Sequence, residues 1–167
     1  MLAKIPEDLV PFAVLGFGGL LVAIITVIHG FGLDRIIRRY RRRADQLRKL
    51  SWHPSMAVLV FAGTILLLLL LHTLEICIWA LFLHDGGLIS DLHAAMYFSA
   101  NTYTTLGMGP ASLPHTWHEM GPLIAISGLF TFAWTTSEMF NIVGYQRELV
   151  ADLESKHESK RAASQGA

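Results

Sequence analysis

An all-α membrane protein with three spanning helices and one helix too short to span is the fold class this sequence predicts. Three observations carry it. Hydrophobic residues make up 53% of the 167-residue chain, with a positive mean hydropathy, well above an ordinary water-soluble domain. Residues 9–33 contain no Asp, Glu, Lys or Arg, 56–83 contain only Glu75, and 120–145 contain only Glu138. Each stretch exceeds the roughly 20 residues a helix needs to cross a hydrocarbon core. The formal net charge of zero conceals strong segregation: Arg35, Arg38, Arg39, Arg41, Arg42, Arg43, Arg48 and Lys49 crowd one connection, while 84–119 carries no Lys or Arg.

The first element, 1–33, reads as an uncleaved transmembrane helix. Lys4 is offset by Glu7 and Asp8 and the arginines follow the apolar core, an arrangement unlike a signal peptide. Residues 34–55 form a basic linker, and by the positive-inside rule it is cytoplasmic. That puts the N-terminus outside and the C-terminus inside a multi-pass protein of the plasma membrane. Tyr40, Leu47 and Leu50 fall at helix-compatible spacings, so this segment is either a helix lying against anionic headgroups or a solvated linker. Trp52, His53 and Pro54 mark the start of the second helix, 56–83, and Asp85-Gly86-Gly87 a turn after it. Cys77, the only cysteine, excludes an intrachain disulfide and reads as packing.

Ser90 or Asp91 can cap a helix over 91–103. About a dozen residues rise only about 18 Å, which suits a re-entrant half-helix. It would point its partially negative C-terminus toward the membrane centre, where a cation is favoured. The chain must then return through Thr104, Thr105, Leu106, Gly107, Met108 and Gly109. Irregular backbone at that depth is tolerated only where protein buries it or water bathes it. The third long helix, 120–145, places Gly128, Thr131, Thr135 and Glu138 on one face. That stripe reads as a water-facing inner helix with Gly128 a hinge and Glu138 a cation-concentrating carboxylate; small residues easing helix packing are the competing reading. Residues 146–167 form a polar tail, frayed from 155 onward.

Helix, half-helix, Thr-Thr-Leu-Gly-Met-Gly, a loop with Leu113-Pro114 and Trp117, then a helix resembles the pore module of the potassium channel superfamily, over 56–145. The family signature is Thr-Thr-Val-Gly-Tyr-Gly followed by Asp, with carbonyls of four copies replacing the ion's hydration shell. The resemblance implies a homotetramer. It also implies potassium at carbonyl rings from Thr105, Leu106, Gly107 and Met108, with Gly107 and Gly109 permitting the backbone twists. Two positions depart: Met108 stands where the family has Tyr or Phe, and Pro110 where it has Asp. Potassium is therefore the first expectation and a weakly selective monovalent cation pore the second.

Around that filter, Thr104 and Asn101 are candidate supports, Tyr97 and Phe98 could form an apolar cuff with Met108, and Glu75 could accept hydrogen bonds from the half-helix. No enzymatic role, cofactor or nucleic-acid partner is expected. Two other classes compete. An accessory subunit would use the first helix, extra to a two-helix module, to pack on a larger partner. A haem-binding electron-transfer subunit would use His29 and His72; helix position sets the first near the cytoplasmic end and the second nearer the middle, so their nitrogens need not meet. His84, His93, His115 and His118 read as loop histidines.

Overall fold

The structure is a computed structural model that describes residues 6–50, 53–108 and 113–165. Trp52, Gly109 and Pro110 lie outside them. Among the described residues there are helices and no strands. Three helices are long and apolar enough to cross a membrane. We label the helices α1 (Val10–Leu50), α2 (Pro54–Asp85), α3 (Leu92–Tyr103) and α4 (Met120–Gln165). A π-helical turn, Val14–Gly18, interrupts the α-pattern near the start of α1, and a 3-10 turn, His115–Trp117, precedes α4.

Large apolar side chains face outward along the long helices, Phe31, Leu59, Leu66, Leu70 and Phe140 each being more than 60% exposed. Water would penalise such a surface heavily, whereas lipid tails would not.

The chain forms two compact units, Met1–Phe31 with Leu71–Trp134, and Gly32–Leu70 with Thr135–Ala167. In the first, α3 is the organising element. Asp91 is its N-cap, in extended conformation, and its Oδ2 accepts the Ala94 amide at 2.7 Å. That satisfies one of the orphan donors of the first turn. Twelve residues long, α3 rises about 18 Å, so its C-terminus arrives beside Glu75, about 15 Å back along α2 from Asp85. Trp79, Ala80, Leu83, Ala95, Tyr103, Trp117, Met120 and Ile124 make one core with Val10, Val14 and Ile25 of α1. Helix α1 thus belongs to the same core as the other three. Gly18 lets it approach α4: a Cβ there would lie 2.5 Å from Leu123 Cδ1 and 2.9 Å from Met120 Sδ. Trp79 adds a buried indole N–H donated to Ser127 Oγ at 3.0 Å.

The second unit settles two expectations about the polar segments. Residues 34–50 are not a solvated linker, because α1 runs unbroken to Leu50. Nor is 155–165 frayed, since α4 continues to Gln165. Leu149 and Leu153 explain why, being fully buried against Ala44, Leu47 and Ala57. Polar ties reinforce the seam: Tyr40 donates to Gln146 at 2.8 Å, Tyr145 donates to Asp45 at 2.5 Å, and Arg48 pairs with Asp152 at 3.4 Å. On its exposed side, Arg39 and Arg43 rim a groove of about 380 Å³ floored by Met56, Val60, Gly63 and Leu67.

A Cβ on Gly128 would collide with the Tyr103 backbone carbonyl. Gly128→Ala is therefore expected to destabilise the protein by about 1–3 kcal/mol through overpacking, whereas Gly144→Ala, with nothing within 4 Å, should be neutral or mildly stabilising. Thermal unfolding in detergent followed by helical circular dichroism reads both.

Candidate functional site

The last turn of α3 generates two connected features, a strained backbone exit and a buried polar cluster. Tyr103 belongs to both.

At the exit, the Thr105 amide donates to the Thr102 carbonyl at 3.0 Å and the Leu106 amide to Asn101 at 2.8 Å. These paired bonds around a left-handed residue close a Schellman-type C-cap. Glycine normally takes that place; here Thr105 does, at φ 59°. For a β-branched residue this is strained by about 1–3 kcal/mol. Gly107 follows at φ 67°, where glycine is unstrained. Residues 104–108 are thereby turned outward and exposed, Leu106 at 62% and Met108 at 64%. Asn101 holds the exit, but through its backbone carbonyl, which accepts from Leu106 and also from Gly107 at 3.2 Å. Its side-chain amide instead donates to Tyr97 O one turn back, and Oδ1 has no hydrogen-bond partner among the described residues. The side chain thus ties α3 to itself, and the exit is held by the Asn101 backbone. Thr104 Oγ1 likewise turns back to Ala100 O, at 2.7 Å. Phe98 packs against the core, while Tyr97 is 45% exposed.

The polar cluster lies behind the exit. Glu75, fully buried on α2, accepts from the Tyr103 hydroxyl and, on its other oxygen, from His29 Nδ1 at 2.8 Å. Since Tyr103 spends its one proton on Glu75, its oxygen must accept from its other neighbours. These are His72 Nδ1 at 3.0 Å and Thr131 Oγ1 at 2.6 Å. Phe132 stacks on His72 with ring centroids 4.3 Å apart, and Trp134 lies 5.6 Å from His29. Gly30 makes room for that indole. A carboxylate in such a dry setting is tolerable only when donors meet it, and α1 and α3 supply them through His29 and Tyr103.

Two sequence expectations change here. His29 and His72 do meet, with ring centroids 5.3 Å apart, because α1 packs against the 71–134 core rather than standing apart from it. The stripe on α4 is not uniformly water-facing: Gly128 and Thr131 are buried against Tyr103, and Thr135 and Glu138 are half-buried. Gly128 meets the Tyr103 backbone so closely that a Cβ would have no room, a packing constraint beside the hinge expectation. The exposed face of α4 instead carries Ile126, Leu129, Ala133, Thr136 and Ser137. Periodicity identified a face of the helix without saying what that face meets. Thr136 and Ser137, small polar neighbours in an apolar span, were the available signal for the open side.

The fold and site define an all-helical, membrane-type chain whose half-length helix ends in strained, outward-turned backbone braced by a dry hydrogen-bonded cluster. No family model, curated protein or solved structure matches it.

Glu75→Ala leaves the His29 and Tyr103 donors buried without their acceptor and should cost about 3–5 kcal/mol. Tyr103→Phe should cost about 1–3 kcal/mol. If the double variant loses clearly less than the sum, as expected for partners in one network, unfolding in denaturant will report the coupling.

Proposed function

We infer that this chain is the subunit of a homotetrameric cation channel, with ions passing the backbone carbonyls of Thr105, Leu106, Gly107 and Met108. The observation that carries this reading is the paired positive φ at Thr105 and Gly107 at the end of a helix only 12 residues long. Left-handed residues alternating with right-handed or extended ones turn successive carbonyls toward one side, which is what a carbonyl-lined ion path requires. Natural chains hold a threonine at positive φ where the surroundings enforce it, and such strain clusters at functional positions.

Exposure supports assembly. Leu106, Met108 and the Ile126, Leu129, Ala133, Thr136 and Ser137 face of α4 are uncovered on a single chain. Four copies around an axis would cover the apolar parts of this surface and leave small and hydroxylated side chains beside the water path. Thr135 and Glu138 lie further along α4, where a ring of carboxylates would attract cations to the inner mouth.

Potassium is the favoured ion, on the resemblance of Thr-Thr-Leu-Gly-Met-Gly to the potassium filter. A weakly selective monovalent cation pore is the second reading, favoured by Met108, whose flexible side chain replaces a rigid aromatic brace. Charge asymmetry supports a plasma-membrane orientation with the arginine connection and the C-terminus in the cytoplasm. The groove rimmed by Arg39 and Arg43 suits contact with anionic lipid headgroups there.

Reconstitution into liposomes, with cation flux measured under separate potassium and sodium gradients, tests the reading. Wild-type protein should pass potassium, and Gly107→Ala should abolish flux, because alanine at φ 67° strains the carbonyl run. Equal flux from both proteins would exclude residues 104–108 as the path.

A further inference from the structure

We propose that His29, His72, Glu75 and Tyr103 form a binding site for one divalent transition-metal ion of the zinc class, buried inside the first unit. Donor atoms of His29, His72 and Glu75, all buried, lie within 4.8 Å of one another. Tyr103 adds a phenol oxygen hydrogen-bonded to Glu75 and 3.0 Å from His72 Nδ1. Four donors around a tetrahedral ion with bonds of about 2.0–2.2 Å stand about 3.3–3.6 Å apart. The separations here straddle that: 2.8 Å from His29 Nδ1 to Glu75 Oε1, 3.0 Å from His72 Nδ1 to Tyr103, and 3.8 Å from His72 Nδ1 to Glu75 Oε2. Glu75 presents Oε1 to His29 and Oε2 to His72 and Tyr103, and shifts of about 1 Å within the 4.8 Å cluster would close one of these oxygens and its neighbours onto an ion.

The chemistry of the donors selects the metal. Two imidazoles and two oxygens suit zinc and its first-row neighbours, whereas calcium and magnesium take oxygen alone and copper(I) takes thiolate. Protons hold these donors together in the hydrogen-bonded arrangement, and a metal ion would replace them, since ligating imidazole and carboxylate must be deprotonated. The shell is also built for it. Thr131 contacts the phenol oxygen from outside the donor set, and Phe132 and Trp134 wall off the imidazoles. Outer partners and an apolar wall of this kind orient metal ligands. Packing alone does not require such groups: Trp79 and Ser127 already join α2 to α4 with a neutral hydrogen bond.

The proposal is independent of the pore reading. Purified full-length protein in detergent is equilibrated with ZnCl₂, passed through a desalting column and assayed for bound zinc. About one zinc per chain is expected, as for a single closed site. His115→Gln/His118→Gln, which removes the neighbouring loop pair, should retain it. In His29→Gln/His72→Gln, binding should weaken by more than about tenfold, the least that losing a partner of a bound metal costs. Should that variant fail to fold by circular dichroism, cobalt(II) added to the wild-type protein decides, with the intense visible bands of four-coordinate cobalt expected. Absence of zinc from the wild-type protein would overturn the site. So would loss of zinc in the loop variant, undiminished binding in a folded His29/His72 variant, or only the weak spectrum of six-coordinate cobalt.

Discussion

Glu75 is a carboxylate with no access to water, and most of the first unit can be understood as what it takes to keep it there. Its two oxygens are met from two directions, by His29 of α1 and Tyr103 of α3. Tyr103 is in turn met by His72 of α2 and Thr131 of α4. Every helix in the unit therefore contributes a group to one connected set. Removing a single member leaves others buried and unsatisfied, a cost larger than the net worth of any one hydrogen bond. The cluster fixes the axial position of α3 against α2 more tightly than apolar packing alone could, since apolar contacts tolerate sliding and hydrogen bonds do not.

That fixed position has two geometric consequences. Gly128 must lack a side chain, because Tyr103's carbonyl passes directly over it. The backbone leaving Tyr103 must also turn at once, which forces the left-handed conformation onto Thr105 rather than onto a glycine. A Schellman-type cap with threonine at its left-handed position is locally unfavourable, and the buried anchor two residues earlier offsets it. Strain at the proposed filter and burial of the tyrosine behind it are two ends of one short piece of chain.

Parts of this were legible in the residues. Charge-free stretches of adequate length marked the long helices, and Asp91 ahead of an apolar run marked the start of α3. Glu75 was recognisable as a residue needing donors from the half-helix, simply because a carboxylate in an apolar span is expensive. The partners were harder. Nothing local to His29 points to α2, and counting residues from a helix end did not place it level with His72 and Glu75. The small and hydroxylated stripe on α4 misled for a related reason. Glycine and threonine suit a water-lined face and a tight packing face equally well, and Gly128 and Thr131 serve the second.

The sequence by itself determined the helical class, the three long apolar spans, the short fourth helix with its cap, and the glycine-bearing exit. Each of these depends on hydrophobic periodicity, length or local backbone preference, which are properties of neighbouring residues. Only the tertiary structure decided that four helices meet in one polar cluster, that His29 and His72 lie side by side, and that Gly128 and Thr131 face Tyr103. Those contacts join residues 25 to 46 positions apart, and helix rotation and relative level, which set them, leave no signature in any local stretch of chain.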